Sequence, residues 1–267
     1  MNGLRKVGKV IAAANALGPK SEGKLRMKII LEESYEKLSE TLAMIMIGEM
    51  SKVGRVNVDF TDGVSPVGAY EIVAKKIQED PERYRNVHYY NHGETTYPAN
   101  FVSAMLKKQV FDPFMVPEEN IHLIDVNHPH KQVEDIEAAG GLDLSVLGIG
   151  ADAHFCINYP DATKFDKLIY KYEPKDYDWY EECCQKYGLD EFRSVYTFGF
   201  KMLTKTKRVV MIVNGANKAQ AVKNMLTQPI SAHYPATILR CLDNLTLILD
   251  ADAASLLTEE DLANARL

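Results

Sequence analysis

No stretch of this chain approaches the roughly 18 consecutive apolar residues that a membrane-spanning helix needs, so a membrane-embedded protein is not expected. Positive charge is also short: Lys and Arg number 31 against 37 Asp and Glu, a net charge of -6. A general nucleic-acid partner calls for a basic face and is therefore not expected either, although a few local cations suffice to hold one phosphate. Cysteine is sparse. Cys156, Cys183, Cys184 and Cys241 show neither CxxC spacing nor a regular framework, which leaves no metal knuckle and no disulfide scaffold to build on. The vicinal Cys183-Cys184 pair is either a redox pair or two ordinary thiols of a reducing, cytoplasmic compartment, and the second reading is preferred. No repeat, low-complexity tract or Gly/Ser linker divides the chain. The first 24 residues are basic and mildly apolar, but their apolar part runs only from Val10 to Leu17, is broken by Asn15, and precedes no convincing cleavage site. They read as an N-terminal extension: an amphipathic lead-in helix ending at Gly18-Pro19 and packed on the body or on a neighbouring subunit.

What is present is an ordinary globular composition, 46% apolar and 25% charged over 267 residues, enough to bury a full core. From residue 25 onward, strand and helix signals alternate. Met27–Leu31, Arg55–Phe60, Asn86–Tyr90, Ile121–Val126, Leu142–Ile149, Ser194–Phe200, Arg208–Val213 and Leu245–Leu249 read as strands. Ser34–Met50, Val67–Gln78, Asn100–Val110, Val133–Ala139 and Lys218–Thr227 read as helices. The segment Asp166–Gly188, rich in tyrosine and charge, reads as partly helical and on the surface. This alternation predicts an α/β fold: a single domain, residues 25–267, with a mostly parallel open sheet and helices on both faces.

Three loops carry candidate chemistry. After the buried run Leu142–Ile149, Gly148 and Gly150 let the chain turn sharply, and Asp152 and His154 follow, at the carboxyl end of a strand where open α/β sheets bind ligands. The alternative is a polar loop in which Asp152 caps and His154 merely hydrogen-bonds. Gly63-Val64-Ser65-Pro66 joins a strand to a helix, so its N–H groups and the helix N-terminus can hold an anion; a plain tight turn is the competing reading. Asn214-Gly215-Ala216-Asn217-Lys218 repeats that design, with a lysine at a helix start where a bound phosphate would neutralise it. Two anion loops flanking an Asp/His loop suggest a phosphorylated small molecule. His128-Pro129-His130 reads as a surface turn in preference to a metal site. Tyr170, Tyr172, Tyr177, Trp179 and Tyr180 form either a lid or, preferably, surface packing.

Gly148-Ile149-Gly150-Ala151-Asp152-Ala153-His154, continuing to Asn158-Tyr159-Pro160, resembles the Gly-x-Gly-x-Asp-Gly-His-x-x-Phe-Asn-Glu-Pro motif of the glucosamine-6-phosphate deaminase (isomerase) and 6-phosphogluconolactonase family. Asp62 to Pro66 resembles that family's Gly-Gly-Thr/Ser-Pro phosphate loop, and Asn214 to Ala219 its Gly-x-x-Lys-Ala segment. The likeness covers about residues 25 to 260. It implies a Rossmann-like fold, a phosphorylated sugar held by Gly63, Val64, Ser65 and Lys218, and ring opening by His154 oriented by Asp152. A carboxylate on the loop after the third strand would then move a proton between C1 and C2. No metal or organic cofactor is implied, and homo-oligomerisation stays open.

The chain departs from the family pattern where protons move. In place of Asn-x-Asp-Glu-Tyr it has Asn91-His92-Gly93-Glu94, so His92 or Glu94 is the candidate base. Tyr159 replaces the glutamate that tunes the histidine, Ala153 replaces a glycine, and Arg193 is the candidate for the family's phosphate-binding arginine. The implied function is a sugar-phosphate isomerase/deaminase acting on an amino-sugar 6-phosphate such as glucosamine 6-phosphate. The alternatives are a lactone hydrolase of the 6-phosphogluconolactonase kind and a catalytically weak sugar-phosphate-binding protein.

Overall fold

Val56–Phe60 (β2) is buried along its whole length, polar Asn57 and Asp59 included. A strand hidden on both faces belongs in the middle of a helix-covered parallel sheet. Seven parallel strands lie in the order β1 (Lys28–Glu32), β10 (Leu245–Asp250), β9 (Val209–Val213), β6 (Leu144–Leu147), β2, β3 (Val87–Tyr90) and β5 (Ile121–His122). The computed structural model describes residues 27–265, so the expected lead-in helix lies outside the described residues. Among those described, no helix is long and apolar enough to cross a membrane.

The helices that cover the sheet are amphipathic for evident reasons. In α1 (Tyr35–Met50), Leu38, Leu42 and Met46 recur at helical spacing and are fully buried, and the Ser34 side chain caps the Lys37 N–H. They pack on one face of the sheet with Val73 and Ile77 of α2 (Val67–Glu79). On the other face, Val222, Met225 and Leu226 of a C-terminal helix, Ala219–Thr227, meet Met211 and Leu247. Each such side chain is worth roughly 1.5–3 kcal/mol in apolar burial. The polar positions of β2 are accommodated by hydrogen bonds, as buried polar groups must be. Asn57 donates its backbone N–H to Asp143 Oδ2 (2.8 Å) and its amide to the carbonyls of Ala139 and Gly141.

Several sequence expectations are corrected. A second sheet exists, three antiparallel strands ordered β4 (Gly93–Tyr97), β8 (Arg193–Phe198) and β7 (Ile169–Tyr172). The strand expected at Ser194–Phe200 belongs to it and not to the main alternation. The segment 166–188 is partly helical, as expected, and many of its residues are exposed, but its other side is packed into the core. Tyr170, Tyr172, Cys183 and Cys184 are buried, because the tyrosine hydroxyls find partners inside: Tyr170 Oη donates to Asn158 Oδ1 (2.7 Å) and Tyr172 Oη to the Ile157 carbonyl (2.9 Å). Phe101–Leu106 (α3) runs on into a wider turn over Lys107–Phe111. Pro129–Ala138 (α4) starts earlier than expected, with proline in its first turn, while the strand at Ile121 is only two residues long. Tyr180–Tyr187 (α5) and Phe200–Leu203 (α6) precede Ala219–Thr227, which is therefore α7.

Because all seven strands of the main sheet run the same way, the loops after β2, β3, β6 and β9 emerge at one edge. That edge is where a ligand site is built in folds of this kind.

Candidate functional site

Three of those four loops meet around a cavity of about 410 Å³, whose lining includes Asp62, Gly63, Val64, Ser65, Gly150, His154, Tyr159 and Lys218. The expected anion loops and the expected imidazole therefore share one space.

At the anion end, Gly63 adopts φ 114°, a left-handed value that favours glycine. Gln109 clamps it from both sides, accepting its N–H (3.2 Å) and donating to its carbonyl (3.1 Å). The N–H groups of Val64 and Ser65 have no acceptor among the described residues, and α2 begins directly beyond them, so free donors and a helix dipole point the same way. Ser65 Oγ donates to Asn214 Oδ1 (2.6 Å), which ties the loop after β2 to the loop after β9. The second loop is fixed in turn by both Asp250 oxygens, each 3.0 Å from the Gly215 nitrogen. Lys218, at the start of α7, has no ion-pair partner among the described residues. Burial and then the neighbouring Lys186 hold its pKa below the usual lysine range, against a smaller pull from Asp152. Lys186 itself lines the cavity. It was missed in the sequence because it sits in the tyrosine-rich segment taken for surface. Two ammonium groups that line one cavity, neither with an ion-pair partner among the described residues, favour an anionic ligand.

At the proton-moving end, Gly150 has to be glycine, since a Cβ there would collide with His154 Nδ1 and Asp152 Oδ1. The turn closes through Gly150 N–H to His154 O (2.8 Å) and Ala153 N–H to Gly150 O (3.0 Å). Ala153 completes it at φ 68°, a conformation that costs an L-residue about 1–2 kcal/mol and explains the glycine of the related motif. Asp152 Oδ1 lies 2.6 Å from His154 Nδ1. Burial pulls the Asp152 pKa upward, but the hydrogen bond and charge of His154 outweigh it and hold the carboxyl at about 2. With Nδ1 engaged, Nε2 is the nitrogen left for a ligand. Tyr159 stacks on His154, centroids 4.1 Å apart at 22°, and Trp179 stacks on Tyr159 at 4.4 Å and 23°. Burial pushes the Tyr159 phenol well above its usual pKa, so it stays neutral.

Three expected site residues are not brought in. His92 is 1% exposed and its Nδ1 pairs with Asp59 Oδ1 at 3.1 Å. Burial alone would lower its pKa, but Asp59, through charge and hydrogen bond, and then Asp62 raise it. The Glu94 carboxylate is buried and accepts the N–H groups of Thr95 (2.9 Å), Val102 (3.1 Å) and Ser103 (3.0 Å), capping the start of α3. Neither lines the cavity. Between them, a side chain at Gly93 would run into Ile157. Arg193 is exposed, paired with Glu191 and lying over the Tyr97 ring at 5.4 Å, outside the cavity lining. A strand-start arginine in the outer sheet has nearer partners than the site. His128 is likewise exposed and paired with Asp125 (3.0 Å).

Comparison with known proteins bears on the family and on the fold. The family model described as glucosamine-6-phosphate isomerases/6-phosphogluconolactonase matches residues 31–248. A glucosamine-6-phosphate deaminase of Clostridium botulinum (strain Eklund 17B / Type B) is 29% identical over 251 residues, 88% of this chain and 98% of that protein. One from Thermoanaerobacter sp. (strain X514) is 27% identical over 248 residues, 88% of this chain and 97% of its own length. Among solved structures, a monomeric glucosamine-6-phosphate deaminase superposes with a TM-score of 0.76 at 21% identity, over 86% of this chain and all of that one. A 6-phosphogluconolactonase from Thermotoga maritima gives 0.64 at 20% identity, over 83% and 98%. At those identities the structural likeness speaks to the fold alone.

Proposed function

The chain belongs to the glucosamine-6-phosphate isomerase/6-phosphogluconolactonase family, and on that premise we propose that it is a sugar-phosphate isomerase/deaminase acting on an amino-sugar 6-phosphate such as glucosamine 6-phosphate or a close relative. One observation carries the reading: the imidazole of His154, oriented by Asp152, opens onto the same cavity as Ser65 and Lys218.

In this reading the phosphate takes the free N–H groups of Val64 and Ser65, the positive end of α2 and the Lys218 ammonium. All of these are charge-assisted, and their alignment holds the sugar against His154. His154 Nε2 takes the proton of the C1 hydroxyl and returns one to the ring oxygen as the C1–O5 bond breaks, with no net change in protons. Transfer of the C2 proton to C1, with an amine proton passing in net to O1, turns the 2-amino aldehyde into a 2-imino ketose. Water adds at C2, and ammonia leaves a ketose 6-phosphate. The test is ammonia release from glucosamine 6-phosphate together with ketose formation from hexosamine and hexose 6-phosphates. A protein that yields neither is not the enzyme proposed.

The burial of His92 and Glu94 favours a second reading, because hydrolysis of a 6-phosphogluconolactone needs only one base to activate water, and His154 supplies one. Proton release from the lactone, with no ammonia from the amino sugar, moves the assignment there. If both assays are blank while sugar phosphates raise the melting temperature, the protein binds them without turnover.

A further inference from the structure

Isomerisation of an opened sugar needs a group that accepts the C2 proton and returns it at C1. The loop after β3 delivers none: His92 is sealed against Asp59, and Glu94 is occupied by three backbone N–H groups. Asp62 is the only Asp or Glu among the described residues that line the cavity. We propose that Asp62 is the proton-transferring carboxylate of this site, so that the base comes from the loop after β2 and not from the loop after β3. This rests on the isomerase/deaminase reading.

The backbone on either side of Asp62 is fixed. The Thr61 N–H donates to the Val146 carbonyl (3.0 Å), the Thr61 carbonyl accepts from Tyr70 Oη (2.7 Å), and Gln109 clamps Gly63. The carboxylate itself is in no ion pair with a lysine or arginine among the described residues. Its titratable neighbours are two imidazoles and, with a smaller and opposite effect, the Glu94 carboxylate. His92, backed by Asp59, attracts it from the protein side, and His154, which lines the same cavity, attracts it more weakly. Burial raises the Asp62 pKa above the ordinary aspartate range, with His92, a backbone hydrogen bond and then His154 offsetting part of the rise and Glu94 adding slightly to it. That is the direction a carboxylate needs in order to take up a carbon-bound proton and hold it between two atoms.

The step balances without any further reactant. The C2–H bond breaks as an Asp62 O–H bond forms, its electron pair enters the C1–C2 bond, and the carbonyl pair moves to O1, which protonated His154 protonates. The Asp62 O–H then breaks as C1–H forms from the C1=C2 pair, restoring the carboxylate and leaving a C2=N iminium, which returns one amine proton to His154.

The experiment follows glucosamine 6-phosphate by NMR in deuterated water, reading anomer interconversion and loss of the C2 hydrogen separately. The expected result is that the unaltered protein accelerates both. Asp62→Asn loses C2 exchange and ammonia release by about 10²–10⁴-fold while keeping fast anomer interconversion and the melting-temperature rise with inorganic phosphate. Should Asp62→Asn fail to fold, Asp62→Ser with added formate carries the same test, formate restoring exchange from the vacated space. C2 exchange by Asp62→Asn within tenfold of the unaltered protein overturns the role of Asp62 and leaves the isomerase reading intact. So does a loss confined to KM, which would mark Asp62 as a holder of the substrate amine. An unaltered protein that neither interconverts anomers nor exchanges C2 removes the isomerase reading and Asp62 with it.

Discussion

The loops after β6 and β3 carry the same kinds of side chain, a histidine and a carboxylate, and the fold uses them in opposite ways. In the loop after β6, Asp152 turns its carboxylate on His154, through Nδ1 at 2.6 Å and the backbone N–H at 3.2 Å, and leaves Nε2 for a ligand. In the loop after β3, Glu94 takes three N–H groups and His92 gives its Nδ1 to Asp59. An ionisable residue does chemistry only with the hydrogen-bonding capacity that the fold has not already used. The first loop keeps some in reserve. The second keeps none that reaches the cavity.

The sharpest way to break this comparison is to remove one group from each loop. His154→Ala is expected to lower turnover by about 10²–10⁴-fold with inorganic phosphate still raising the melting temperature, since the anion donors lie on other loops. Glu94→Ala is expected to act on the fold instead. Each stranded buried N–H costs about 1–3 kcal/mol, so a loss of roughly 3 kcal/mol or more follows, read by thermal unfolding as a drop of about 6–12 °C. The folded fraction should turn over within a few-fold of the unaltered protein. If Glu94→Ala is stable but inactive, the two loops are more alike than their hydrogen bonds imply.

A smaller effect sharpens the contrast between binding and proton transfer. Lys218→Met removes the point charge at the start of α7 but none of the acid/base groups. A charge-assisted hydrogen bond is worth about 1.5–3 kcal/mol, so KM for a sugar phosphate should rise by about 10–100-fold with kcat changed far less. An equal loss in kcat would mean that Lys218 serves the transition state and not only the anchored phosphate.

Much of this was legible in the sequence, and the remainder has physical causes. The parallel strands could be read because Val56–Phe60, Leu144–Leu147, Val209–Val213 and Leu245–Leu249 are apolar or alternating runs bounded by turns. The Asp152–His154 turn could be read because its glycine spacing is local. The fate of Glu94 could not, because its acceptors' partners, Val102 and Ser103, become a helix N-terminus only after the chain passes through Pro98 and Asn100. The second sheet was hidden because Gly93–Tyr97 and Ile169–Tyr172 are rich in threonine, tyrosine and charge, and take their register from β8, far away in sequence. Lys186 was hidden because it lies on a helix of the tyrosine-rich segment, far in sequence from the loops that carry the other cavity residues. Asp62 was in view throughout, but a carboxylate in an anion loop invites a base reading only once the other candidates are seen to be occupied.

The smallest expected effect concerns Tyr159, which stands where the related motif carries a glutamate. A glutamate at that point could exchange charge with the histidine, whereas a phenol held well above its usual pKa by burial cannot. What Tyr159 offers is a surface: its ring lies 4.1 Å from the His154 ring and is braced from behind by Trp179 at 4.4 Å. Its hydroxyl meets the Cys183 thiol at 3.7 Å, a weak contact. Tyr159→Phe keeps the ring and loses only the hydroxyl's contacts with Cys183 and Tyr187, so turnover should stay within about threefold and the pH profile should not move, since a shift of about 1.4 kcal/mol would be needed for a tenfold change. Tyr159→Leu removes the stack and should slow turnover more than Tyr159→Phe does. A tenfold loss in Tyr159→Phe would instead give the hydroxyl a part in proton transfer, and the loop after β6 would then hold three working groups where its hydrogen bonds provide for two.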